Sequence, residues 1–137
     1  QSTMHKAELK IGRLVTIFIA APFGMDDVAP FQMAIGKLLQ EAPARVVTCM
    51  DLRASLILAP DVADQLIGLM RKDNPRIERT AMVLGDNAVL GLQVARMIRE
   101  AGNPNRRTFQ HAEAAEAWLG EALSPSEQAA LNAFLNR

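Results

Sequence analysis

Few side chains in this sequence are of a type and in a place to do chemistry, and Asp51 is foremost among them. It closes the apolar run Val46-Val-Thr-Cys-Met-Asp51, and no helix start follows it directly. Ligands of open α/β proteins collect beyond the carboxyl ends of parallel strands, so the segments at such ends are where a site belongs. Here they are 22–27, 51–61, 85–88 and 110–113. The polar residues they offer are Asp51, Arg53, Ser55, Asp61, Asp86, Asn87 and His111. Asp61 and Asp86 have a second reading, since a carboxylate at a helix start accepts hydrogen bonds from free backbone N–H groups. For Asp51 both a functional and a structural role stay open.

Specific reactions find little support. A phosphoryl-acceptor role for Asp51 needs an acidic pair after the first parallel strand to hold Mg²⁺. That strand instead runs into Ala20-Ala21-Pro22, and Asp26-Asp27 come later, where helix capping explains them. A lysine expected after the last strand is also missing. Cys49 sits inside an apolar strand as an inert core thiol. There is no Gly-x-Ser-x-Gly elbow, P-loop or Gly-x-Gly-x-x-Gly. One cysteine and two histidines leave no internal disulfide and little for metal chemistry. The expectation is a non-enzymatic protein with no cofactor.

Fifteen basic residues balance fifteen acidic ones, and a general nucleic-acid binder normally shows a basic excess. Basic residues still cluster, at Arg71, Lys72, Arg76 and Arg79 and at Arg96, Arg99, Arg106 and Arg107. Interleaved Asp73, Glu78 and Glu100 make a solvated face the plain reading. The sharper one is an anion patch of Arg99, Arg106 and Arg107. Seven methionines with no tyrosine point to an adaptable interior. The longest apolar run, Leu14 to Phe23, is far short of the roughly 20 residues a membrane helix needs. With no signal peptide visible, a cytoplasmic protein is expected.

These residues need a scaffold, and the pattern predicts one domain over 4–137. Gln1-Ser2-Thr3 ahead of Met4 has the form of an expression scar, and 124–137 reads as a helical extension. His5 to Leu9 and Leu14 to Ala21 predict an antiparallel hairpin. A helix capped by Asp26 or Asp27 runs to about Glu41, with Val28, Phe31, Ile35, Leu38 and Leu39 at helical spacing. Val46 to Asp51 and Thr80 to Leu84 read as strands covered on both faces. Between and after them come helices started by Asp61 and Asp86, the second ended by Gly102 in a left-handed cap. Arg106 to Gln110 is a short last strand and Ala112 to Leu123 a helix. Ser124-Pro125-Ser126-Glu127 is a capping box with proline at the first helical position. The order β-β-α-β-α-β-α-β-α-α implies an α/β fold with a mixed, mostly parallel sheet of about five strands. The last helix carries Leu131, Phe134 and Leu135, a stripe too short-lived alone in water. It must bury on its own chain, the favoured expectation, or in a homodimer.

Three segments together resemble one family. They are Val46-Val-Thr-Cys-Met-Asp-Leu-Arg53, the strand Thr80 to Gly85 before an acid-capped helix, and Arg107-Thr-Phe-Gln-His-Ala-Glu-Ala-Ala-Glu-Ala-Trp-Leu119. Their order and spacing resemble the STAS domains, the SpoIIAA-like anti-sigma-factor-antagonist group, and especially its bacterial STAS/SEC14-like branch. The likeness covers about Lys6 to Leu123. It implies a superhelix of β-α units and a regulatory or protein-interaction role. Antagonist members carry a phosphorylatable serine at the helix start after the Asp-Leu strand end. Here Ala59-Pro60 occupies that place and Ser55 lies too early, so the resemblance implies a scaffold without the phosphoswitch. The alternative is a carrier or sensor for a small apolar or anionic ligand. An apolar cavity lined by methionines would favour the alternative; a flat loop surface would favour the interaction module.

Overall fold

The computed structural model describes residues 4–137; the expectation for 1–3 lies outside them. Strands β1 (His5–Ile11), β2 (Leu14–Ala20), β3 (Val46–Ala54), β4 (Ile77–Val83) and β5 (Arg106–Phe109) form one sheet in that spatial order. β1 is antiparallel to β2, and every later pairing is parallel. The helices are α1 (Met25–Glu41), α2 (Pro60–Asp73), α3 (Ala88–Ala101), α4 (Ala112–Gly120) and α5 (Pro125–Leu135), with a 3-10 turn at Asn74–Arg76. The α/β class, the mixed sheet and the N-terminal hairpin are as the sequence predicts.

Two apolar layers sandwich the sheet, which is why β2 and β3 read as near-continuous hydrophobic runs. Val15, Ile17, Ile19, Val46, Met82 and Leu84 face α1, α2 and α3. Leu14, Val47, Cys49, Ala81 and Val83 face α4 and α5. The alternation along each strand sends neighbours to opposite layers. Leu131, Phe134 and Leu135 of α5 are buried in the second layer, so the stripe is covered within the chain. The stripe therefore needs no second copy to cover it.

Two glycines are fixed by backbone geometry. Gly12 turns the β1–β2 hairpin at φ 57°, and a Cβ there would collide with the Glu127 carboxylate. Gly102 ends α3 at φ 83°, with its N–H on the Ile98 carbonyl at 3.1 Å. Start signals shift by one or two residues. Gly24 is the cap position of α1, and Asp27 reaches back to accept from its N–H at 2.9 Å. Ala59 precedes α2, with Pro60 and not Asp61 first inside. Asn87 caps α3 in place of Asp86. The expected Ser124 box is present: Oγ accepts from Glu127 N–H at 3.2 Å, and Glu127 accepts from Ser124 N–H at 2.8 Å. β3 runs on to Ala54, into what the sequence suggests is loop, and α4 stops at Gly120.

Candidate functional site

Asp51 is only 4% exposed and faces α5. Its Oδ1 accepts from the Arg53 N–H at 3.1 Å and Nε at 2.9 Å. Its Oδ2 accepts from an Arg53 terminal nitrogen at 3.1 Å and from Arg137, also at 3.1 Å. Arg53 also donates to the Leu135 carbonyl at 2.9 Å. Arg137 lies 5.1 Å from the Phe18 ring centroid and 4.3 Å from that of Phe134. Burial pushes the Asp51 carboxyl up, but the hydrogen bonds and charge of Arg53, with Arg137, outweigh it and hold it below the ordinary carboxylate range. The same hydrogen bond raises Arg53. Every acceptor site is thus engaged, and Asp51 with Arg53 forms a clasp on α5. Nearby Cys49 is fully buried, and its thiol is pushed up to about 12, first by burial and then by Asp51.

The remaining strand-end candidates also have structural partners. The buried Ser55 hydroxyl donates to the Ile19 carbonyl at 2.7 Å. Asn87 accepts from Leu90 N–H at 3.0 Å and donates to the Ser55 carbonyl at 3.4 Å. Asp86 accepts from Gln110 at 2.8 Å. Asp61 is exposed and accepts from the N–H of Val62 at 2.9 Å. The exposed His111 precedes α4, and among the described residues its imidazole bonds to neither Asp51 nor Arg53. Ser55, Asn87 and Asp86 therefore come together, Asp86 and Asn87 bordering an open groove of about 280 Å³ with Thr108 and Gln110. Asp51 and Arg53 belong to the α5 side, while Asp61 and His111 stand apart. A nucleophile–base pair is not assembled from these residues.

Two members of the expected anion patch, Arg106 and Arg107, lie on opposite faces of the sheet. Adjacent residues of a strand point to opposite faces. Arg106 goes inward beneath α2 and is 6% exposed, donating to the Met70 carbonyl at 3.1 Å and Asn74 Oδ1 at 3.0 Å. Arg107 goes to the other face, 4.8 Å from the Trp118 ring centroid, with Arg79 at 5.1 Å from the same ring. Arg99 sits in the last turn of α3.

A cavity of about 90 Å³, of the methionine-lined kind that would favour a ligand carrier, lies between the sheet and α1, α2 and α3. Its wall is apolar: Val15 and Ile17 of β2, Leu38 of α1, Leu66 of α2 and Val94 of α3 contribute. Met50, Met70, Met82 and Met97 line it from four different elements. One row interrupts this wall. Val15, Thr48, Thr80 and Arg106 are successive register partners across β2, β3, β4 and β5. Thr48, Thr80 and Arg106 all line the cavity, joined by Asp73 from the end of α2. Thr80 Oγ1 and Arg106 Nε are buried with no hydrogen-bond partner. Burial pushes the Arg106 guanidinium down to about 10 despite Asp73, and pushes the Asp73 carboxyl up despite Arg106 and Lys72. The available signal was two threonines within otherwise apolar strands, but only the register shows that they are neighbours.

A scan against protein-family models finds no match, and a search of curated proteins finds no significant relative. Among the described residues, no cluster of three or more His, Cys, Asp or Glu could hold a metal ion. Among the same residues, no helix is long and apolar enough to cross a membrane.

Proposed function

We propose that this domain is a non-enzymatic binding module whose cavity beneath α1, α2 and α3 takes a small, largely apolar molecule. The observation that carries the reading is the methionine-lined cavity itself. Unbranched, polarizable methionine side chains adapt to a guest better than branched ones do. Apolar cavities on the order of 150 Å³ stay dry and accept benzene or xenon, so 90 Å³ suits a guest smaller than benzene and excludes a long lipid chain. The STAS/SEC14-like resemblance supports the same direction, and with it comes the implication of a bacterial, cytoplasmic regulatory setting. Methyl-labelled methionine spectra under xenon pressure test the reading. Shifts should concentrate on Met50, Met70, Met82 and Met97, spare the exposed Met33, and disappear in Val94→Phe, whose larger side chain enters the cavity. Absent shifts, or shifts spread evenly over all seven methionines, would refute it.

A protein-interaction role has an observation of its own. Leu56, Ile57, Val89 and Leu92 are 58–76% exposed, on the β3–α2 loop and the start of α3. The Gln93 amide ties these two segments together, accepting from Leu58 N–H and donating to the Leu58 carbonyl, both at 2.8 Å. Held side by side, exposed apolar side chains of this kind mark partner surfaces. This reading does not require the cavity.

A further inference from the structure

The polar row in the cavity wall defines the chemistry of the guest. Thr80 is 1% exposed and Arg106 6% exposed, and each keeps one buried polar atom without a partner. Burying such groups unpaired is costly, and native interiors pair nearly all of them. The two side chains are register partners on adjacent parallel strands and face the same space, about 5 Å apart at the backbone. Arg106 keeps its Nε–H unpartnered, and the terminal nitrogen Nη2 that would join it in a side-on grip is spent on the Met70 carbonyl and Asn74. A two-pronged grip on a carboxylate, the usual arginine recognition mode, is therefore not what the geometry offers. Asp73 lines the same cavity, and its charge acts on Arg106 without offsetting the burial of the guanidinium. An incoming anion would meet that carboxylate.

We infer that the guest is a compact neutral molecule with an apolar body and one carbonyl or hydroxyl oxygen, seated between Arg106 Nε–H and the Thr80 hydroxyl. A carbonyl oxygen has two lone pairs, one for each donor. A hydroxyl accepts from Arg106 and donates to Thr80. The hydrocarbon part lies against Val15, Met50, Met82 and Met97. This inference rests on the binding role proposed above and deepens it.

A matched pair of probes separates the two. Cyclobutanone and methylenecyclobutane have the same shape and five heavy atoms, and differ in whether the exocyclic atom accepts a hydrogen bond. Both should shift the four cavity methionines in the wild-type protein, and only the ketone should move the Arg106 Nε–H resonance. Thr80→Val keeps the side chain's shape and removes the hydroxyl. It should raise the ketone's Kd roughly five- to tenfold relative to the alkene's, the loss expected for one net hydrogen bond. Comparing the two ligands across the two proteins cancels their different hydration. If both probes bind but Arg106 does not respond and Thr80→Val leaves the ratio unchanged, the oxygen anchor is wrong and the cavity reading stands. That result would also mean that water alone satisfies the two groups. If propionate, of equal size, binds more tightly than the ketone, the neutral-guest assignment is overturned. Binding of neither cyclic probe overturns both readings. The Arg106 measurement on wild-type protein decides the matter even if the variant does not fold.

Discussion

Replacing Asp51 with asparagine keeps the side chain's shape and removes the charge on which Arg53 and Arg137 converge. Breaking a fully buried pair costs about 3–5 kcal/mol. Here the carboxylate is buried, but the arginine side chains are 37% and 42% exposed, and water partly solvates them once the anion is gone. Hydrogen bonds to charged groups are worth about 1.5–3 kcal/mol, and the lower half of that range applies, about 2 kcal/mol. For a domain of this size that is a fall in Tm of roughly 6–10 °C. The loss should also be local, because Arg53 and Arg137 hold the end of α5 through Leu135 and Phe134. Amide exchange should accelerate most over 131–136. The pH dependence is a second check. The folded carboxyl is held below its unfolded value, so its contribution is complete above about pH 5 and is lost as pH falls through the unfolded and then the folded value. The stability gap between wild type and Asp51→Asn should be flat from neutrality to about pH 5 and narrow in stronger acid. Thermal unfolding across pH, with hydrogen exchange, measures both. An equally stable variant, or a gap that persists unchanged in acid, refutes the clasp.

Two further outcomes follow from the layer beneath α4 and α5. Truncation after Leu123 strips the cover from Leu14, Val47 and Cys49 and removes three buried side chains worth roughly 1.5–3 kcal/mol each. That approaches the whole stability of a typical domain, so the shortened chain should lose its cooperative melt; a melt near the wild-type temperature would show that α5 contributes nothing. Cys49, with its thiol pushed up to about 12 and no exposure, should react with a disulfide reagent at pH 8 only as fast as the protein opens. Reaction at the rate of a free thiol would contradict that burial.

The element order is legible because its signals are local. Leu14–Ala20 and Val46–Asp51 are apolar on both strand faces, and Gly102 and Ser124-Pro125 mark helix ends by backbone chemistry alone. Cap positions are harder, since neighbouring residues compete: Asn87 wins over Asp86, and Asp27 serves α1 from inside the helix. Asp51 stands out in the sequence, but its partner Arg137 is at the other end of the chain, so its structural role is invisible to spacing. Adjacency in sequence means opposite directions on a strand, so the Arg106-Arg107 pair does not act as one patch. Arg106 and Arg107 part company for that reason. The cavity row depends on the pairing of Thr48, Thr80 and Arg106 across three strands, a non-local fact.

The spatial order of the strands, identical to their order along the chain, has a consequence for synthesis. Each strand can dock on the edge left by the previous one as soon as it emerges, with no gap held open for a later arrival. The α1–α3 layer is complete once residue 101 is made, since its helices alternate with those strands. The opposite face has no such schedule. Leu14, Val47, Cys49, Ala81 and Val83 wait for α4 and α5, which are translated after the whole sheet. A nascent chain thus carries a finished front and a bare apolar back until α4 and α5 emerge, when sheet faces are prone to wrong association. The docking of α5, pinned to the first hairpin by Glu127 on the Arg13 N–H at 2.7 Å, completes the cover begun by α4.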